Sequence, residues 1–211
     1  MDTGPEFREE HVLRDGTRVT LRHVRPDDLP ELKRGLERLS PESRYRRFLG
    51  AITLNDEQLR YLVNVDGHDH VAIVVESDTP GPQGEVGLAI ARFVRLKDDP
   101  SVAEAAITVS DDMQGKGLGR LLALTLARAA HERGVRRFRG EILEDNTAVR
   151  QLLADVGAVV STPEDGGMVF DVDLAPTPFA PGSRLDLIAR RLLRAAAQGT
   201  AGLFGARRVP G

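Results

Sequence analysis

Cysteine is absent from the chain, and aromatic residues make up only 4% of it. Without cysteine there is no disulfide, no thiolate-held zinc and no thiol nucleophile. With so few rings, Leu, Val, Ile and Ala must fill the core, and a hydrophobic content of 41% is enough for a real one. No apolar run approaches the roughly 20 residues of a membrane-spanning helix. Residues 1–10 are charged and lack the apolar centre of a secretion signal. A formal charge of −3 offers no general attraction to nucleic acid. What remains is a chain of 211 residues, long enough for one domain and a tail, with a cytoplasmic setting as the simplest expectation.

The most informative stretch is Gln114-Gly115-Lys116-Gly117-Leu118-Gly119. Residues 103–109 before it read as a buried strand. Residues 118–131 after it read as a helix, with Leu121, Leu122, Thr125, Leu126 and Ala129 on one stripe. A glycine-rich turn between strand and helix lets backbone approach a ligand and aims unpaired N–H groups at it from the positive helix end. Three phosphate loops compete. A nucleoside-triphosphatase loop needs Ser or Thr after its Lys, but Lys116 lies inside the glycine run and Leu118 follows Gly117. A dinucleotide loop would put its third glycine at Arg120, which is too large for close packing. The pattern Q-x-x-G-x-G fits through Gln114, Gly117 and Gly119, and it resembles the pyrophosphate loop of the GNAT acyltransferases, which bind acetyl-coenzyme A there. An ordinary glycine-rich turn is the alternative.

The next segment carries the resemblance further. Residues 135–143 read as a strand, followed by Asn146, a short helical run and Gly157. Asp145 or Asn146 can cap that helix and Gly157 can end it. In GNAT proteins the same order recurs, over roughly residues 17–174 here. The resemblance implies an α/β (α+β) fold: a central mixed, mostly antiparallel sheet of about seven strands flanked by helices, with a C-terminal helix added. Strands are expected at 17–23, 70–76, 85–96, 101–110, 135–143, 157–161 and 168–174, the last two as a hairpin around 164–167. Helices are expected at 26–39, 42–49 and 53–63, capped in the last case by Asn55 or Thr53. The domain would span 1–174, followed by a Pro-rich linker at 175–183 and a basic amphipathic helix and tail at 184–211.

The early segment is similar to a narrower group. Leu21-Arg22-His23-Val24-Arg25-Pro26-Asp27-Asp28, then Leu39-Ser40-Pro41-Glu42-Ser43-Arg44-Tyr45-Arg46-Arg47-Phe48 and Asn64-Val65-Asp66, resemble the acetyltransferase domain of bacterial Pat-type protein lysine acetyltransferases. That resemblance makes the region a wall of the acceptor groove, with Arg44, Tyr45, Arg47 and Phe48 as substrate candidates. The plainer expectation is that Tyr45, Phe48 and Leu49 pack the core while the arginines are solvated. Some Pat proteins carry a cyclic-nucleotide-binding domain; too little chain precedes residue 17 for one, so direct regulation by such a nucleotide is not expected.

An acceptor lysine has an unperturbed pKa of about 10.4, so removing its proton at pH 7 costs about 4.6 kcal/mol. A general base, direct or through water, answers that. Glu104 is the candidate, mid-strand among Ala103, Ala105, Ala106 and Ile107, where a carboxylate is costly without a purpose. It lies at the family position for a catalytic glutamate. An exposed strand face made of Val102, Glu104, Ala106 and Thr108 is the alternative, and Glu85 is a weaker substitute. The family's usual acid, a tyrosine, falls on Leu153, which cannot donate a proton. The leaving thiolate would then be protonated by water.

The resemblance implies acetyl-CoA as acyl donor and no metal. It puts the thioester carbonyl on the backbone of Val109, with Thr108 beside it, and the pyrophosphate on Gln114, Gly115, Lys116, Gly117, Leu118, Gly119 and Arg120. Asn146 touches the pantetheine arm or caps its helix. His68 and His70 flank Asp69 without an evident third ligand and read as surface or strand-start histidines. The partner is a protein or small-molecule amine, with neither nucleic acid nor membrane expected. The helix 184–198, carrying Leu185, Ile188 and Leu192 beside Arg190, Arg191 and Arg194, is expected to dock on its own domain or on a sister subunit, which leaves a homodimer open. A coenzyme A-binding sensor without turnover is the alternative to an enzyme.

Overall fold

The computed structural model describes residues 3–48, 54–82, 84, 86–142, 159–161 and 168–174, without the side chains of Arg46, Ile142 and 159–161. Among the described residues, eight strands form one sheet: β1 (Arg8–Val12), β2 (Arg18–His23), β3 (His70–Ser77), β4 (Gly87–Arg95), β5 (Val102–Val109), β6 (Arg137–Ile142), β7 (Val159–Ser161) and β8 (Met168–Asp173). Their order across the sheet is β1-β2-β3-β4-β5-β6-β8-β7, antiparallel throughout except for the β5–β6 pair. The helices are α1 (Leu29–Arg38), α2 (Pro41–Phe48), α3 (Asp56–Val63) and α4 (Leu118–Glu132).

Alternation along the strands separates two cores. Val19, Leu21, Ile73, Val75, Ala91, Phe93, Ala103 and Ala105 face α4, which buries Leu118, Leu122, Leu126 and Ala129 against them. Each such leucine contributes about 1.5–3 kcal/mol by leaving water. On the opposite side, Ala72 of β3 clusters with Val24 just past β2 and with Val63 of α3, and Leu29 and Leu32 of α1 pack against them. Both faces are therefore covered by helices. On the expected strand at 17–23 the polar Thr20 and Arg22 are buried as well as Val19 and Leu21.

Arg22 is tolerated there because it is fully engaged. Its Nε donates to Glu76 Oε2 at 2.9 Å, and its Nη1 and Nη2 donate to the two Asp28 oxygens at 2.8 and 2.7 Å. Burial works to raise the Asp28 pKa, but hydrogen bonds from Arg22 and the Arg25 N–H outweigh it and hold the carboxyl below its usual range.

Helix α3 starts at Asn55, whose side chain accepts from the Gln58 N–H while Gln58 reaches back to the Asn55 N–H. The expected sheet of about seven strands gains an eighth because residues 8–12 pair with β2. The segment before β1 is anchored to the end of α4: Arg133 donates to the Thr3 carbonyl at 2.7 Å, and Phe7 enters the core. The linker at 175–183, the helix at 184–198, Leu49, Thr53, Glu85, Asn146, Leu153 and Gly157 lie outside the described residues.

Candidate active site

Strands β5 and β6 run parallel and pair only at Val102–Arg137, Ala103–Phe138 and Glu104–Arg139. Beyond Glu104 they separate, while β5 stays paired with β4 through Val109. The sheet thus opens as a V with Glu104 at its apex. Ser110 donates its N–H to Leu88 of β4 at 2.9 Å. Alternation then turns the Val109 N–H to the other edge, into the gap, and commits the Thr108 N–H to β4. Of the two expected carbonyl-binding backbones, only Val109 faces the opening.

The glycine loop closes the wide end. Gly115 and Gly117 have φ of 76° and 101°, a region that disfavours any residue with a Cβ. Gly117 precedes α4, whose first turn has no side-chain cap and no acidic residue. The N–H groups at this positive helix end are left for an anion. A Cβ at Gly117 would meet nothing within 4 Å, and one at Gly119 would meet only Val109 Cγ2 at 3.9 Å. The space in front of the loop is open, which is what a diphosphate needs.

Side chains of the loop behave differently from its backbone. Leu118 is buried in the core, so only its amide can serve a ligand. Lys116 pairs with Asp15 of the β1–β2 turn at 3.2 Å, and Gln114 Nε2 donates to Asp111 Oδ1 at 2.9 Å. Arg120 is half-buried in the first turn of α4. Asp111 is a residue the sequence reasoning missed. Besides Gln114 it accepts from the Ser40 N–H at 2.8 Å and the Ser43 hydroxyl at 2.5 Å, joining the start of α2 to the loop. Burial raises its pKa, and these hydrogen bonds, Ser43 first, outweigh that and lower it.

Glu104 is half-buried on the face toward α3, between buried Val102 and Ala106, so that face is not a wet strand surface. Its charge acts on Tyr61 of α3 and on Arg139. Tyr61 has its pKa raised, first by burial and then by the nearby Asp66 and Glu104 carboxylates. Arg139 is also held by Asp171 at 2.9 and 3.0 Å.

On the α1 and α2 side of the same face lies a cavity of about 90 Å³, bounded by Leu36, Phe48, Val63, Ile90, Arg92 and Thr108. Helix α2 reverses the plainer expectation at Tyr45 and Arg47, while Phe48 packs as expected. Tyr45 is 48% exposed, whereas Arg47 is 6% exposed and lines the cavity with Phe48. Arg44 is half-buried and donates to the Leu36 carbonyl at 2.7 Å. The face of α2 that carries Arg47 turns to the sheet, and Tyr45 is left outside.

His70 opens β3, as the strand-start reading has it, but is not on the surface. It is 5% exposed, stacks on Tyr61 at 4.8 Å, and its Nε2 accepts from Arg92 Nη1 at 3.0 Å. His68 is exposed and sits 2.8 Å from Asp69. No cluster of three or more potential metal ligands occurs among the described residues. Burial, and then the Arg92 charge, push the His70 pKa down to about 4, with Asp66 opposing. Since the unfolded histidine titrates near 6.5, unfolding takes up a proton between those values. This contribution is complete above about pH 6.5 and is lost as pH falls toward 4, worth up to about 3 kcal/mol. Urea midpoints at pH 7 and pH 4.5 should differ less in His70→Gln than in the parent.

These features coincide in the GNAT acetyltransferases, and the chain belongs to that family: the Acetyltransferase (GNAT) domain matches residues 18–159. Acetyltransferase Pat of Mycolicibacterium smegmatis is 36% identical over 192 residues, covering 88% of this chain and 56% of that protein. The chain thus spans little more than half the length of that relative. An acetyltransferase of Pseudomonas aeruginosa is 32% identical over 148 residues, covering 70% of this chain and 78% of its own. The crystal structure of the GNAT domain of PAT from S. lividans aligns with a TM-score of 0.67 at 30% identity, covering 79% of this chain and 96% of that one. The expected fold and family stand. Among the described residues no helix is long and apolar enough to cross a membrane.

Proposed function

We propose that this protein transfers the acetyl group of acetyl-CoA to the side-chain amine of a protein lysine by direct attack. The observation that carries this is the parting of β5 from β6 at Glu104, which puts one carboxylate at the closed end of a gap with anion-binding amides at its open end. The amides of residues 114–120 hold the diphosphate. The Val109 N–H receives the thioester carbonyl and stabilises the negative charge that grows on it during attack. Glu104, directly or through water, takes the proton that the ammonium must lose. The amine bonds to the carbonyl carbon, its nitrogen gives up a second proton to solvent, the C–S bond breaks, and the thiolate leaves to be protonated by solvent. With no cysteine in the chain, an acyl-cysteine intermediate has no attachment point.

A protein acceptor is favoured by the similarity to Pat proteins, and Arg44, Tyr45, Arg47 and Phe48 on α2 are the wall it would meet. A cytoplasmic setting fits a chain without cysteine. The basic C-terminal segment would dock on its own domain or on a second copy. Incubation with labelled acetyl-CoA and a host lysate should place label on lysine side chains of proteins. Label found only on small amines would replace the protein acceptor with a small one.

A further inference from the structure

Two polar groups lining the α1–α2 cavity have no hydrogen-bond partner: Arg47 Nη1 and Ser110 Oγ, both buried. They reach the cavity from different elements, Arg47 from α2 and Ser110 from the end of β5. Arg47 makes no ion pair among the described residues, and its guanidinium rests against the Phe48 ring at 5.0 Å. A buried guanidinium without a counter-charge is costly, and a buried donor without an acceptor calls for an occupant.

The cavity's own acids do not supply that counter-charge. Asp28 and Glu76 are bound by Arg22, and Glu31 by Arg34 and the Gly87 N–H. A second buried guanidinium, Arg92, lines the same space, with Nη1 donating to His70 and Nη2 to the Leu62 carbonyl. Burial lowers the pKa of both, Arg47 to about 10 and Arg92 to about 9, with Arg47 adding to the shift of Arg92. Both remain charged at neutral pH, so this end of the cavity is positive. Much of the remaining wall is aliphatic, including Leu32, Leu36, Val63, Val74 and Ile90.

We propose that the cavity receives a carboxylate on a short aliphatic stem, bound by the Arg47 guanidinium and the Ser110 hydroxyl. The volume of about 90 Å³ suits a stem of that size. The stem can be an acidic side chain of the acceptor, which deepens the acetyl-transfer reading and rests on it, or a free small acid, which does not.

Calorimetric titration of the intact protein with butyrate and with its neutral isostere butyramide separates charge from shape. Butyrate should bind and butyramide should not. Arg47→Met should weaken butyrate at least about tenfold, as for losing a hydrogen bond to a charged group. Acetyl-CoA binding, measured in parallel, reports whether each variant is folded. Should Arg47→Met fail that check, Ser110→Ala and the butyrate–butyramide comparison on the parent still decide. Equal binding of the two ligands, no binding of either, or an undiminished affinity in a folded Arg47→Met would overturn the proposal. Competition by butyrate against a Glu-flanked lysine peptide, but not a Gln-flanked one, assigns the acid to the acceptor; butyrate binding without such competition assigns it to a free ligand. None of the binding measurements needs turnover, so failure of the transferase reading would leave them intact.

Discussion

Replacing Glu104 by Gln should lower kcat at pH 7 by about 10²–10⁴-fold, the usual contribution of a positioned general base. That corresponds to about 3–5 kcal/mol of transition-state free energy. The affinity for acetyl-CoA should not change, because the amides at Gly117 and α4 lie at the other end of the gap. A second signature separates a lost base from a lost fold. Without Glu104 the reaction depends on the small fraction of amine already neutral, which rises about tenfold per pH unit below the lysine pKa of about 10.4. The variant's rate should therefore climb with pH where the parent's is flat. A kcat unchanged at pH 7, or a fall matched by weaker acetyl-CoA binding, would remove Glu104 from the chemistry. No transfer by the parent to any amine, with acetyl-CoA still bound, would favour a sensor.

The largest effect on stability is expected at Arg22. Changing it to Met leaves Asp28 and Glu76 facing one another under α1 without their shared cation. Removing one partner from a buried ionic group costs about 3–5 kcal/mol, mostly because the remaining charges stay desolvated. All three side chains retain slight exposure, so the lower end applies, and Tm should fall by about 6–12 °C for a domain of this size. Adding Asp28→Asn and Glu76→Gln should recover part of the loss. If the triple variant melts below the single one, the charges were not the cause. If Arg22→Met melts like the parent, water has replaced the guanidinium.

How far the sequence could be read depended on how local the determining interactions were. The glycine loop, its flanking strand and α4 were legible because a positive-φ turn and a 3.6-residue stripe leave marks within a few residues. The placement of Glu104 mid-strand between buried neighbours was legible from the apolar residues around it. Strand β1 was not, since Arg8-Glu9-Glu10-His11-Val12 carries no apolar alternation and is defined only by its pairing with β2. Asp111 was hidden for a similar reason: two of its partners, Ser40 and Ser43, are 71 and 68 residues away. On α2, periodicity could group residues by face but could not say which face turned inward. The Arg47 face packs over a cavity with a polar end, so the usual preference for burying Tyr45 failed. His70 starts a strand as its position suggested, but its burial was not legible because the ring that covers it, Tyr61, lies on another element.

The late-recognised strand at the rim of the sheet has a consequence for solution behaviour. A terminal strand offers a row of unsatisfied amides and carbonyls to any passing chain. Here that rim carries Arg8, Glu9 and Glu10 in succession, so two copies meeting edge to edge in register would have to bring like charges together. The same polarity that concealed β1 from a hydrophobic reading discourages fibrous stacking at high concentration.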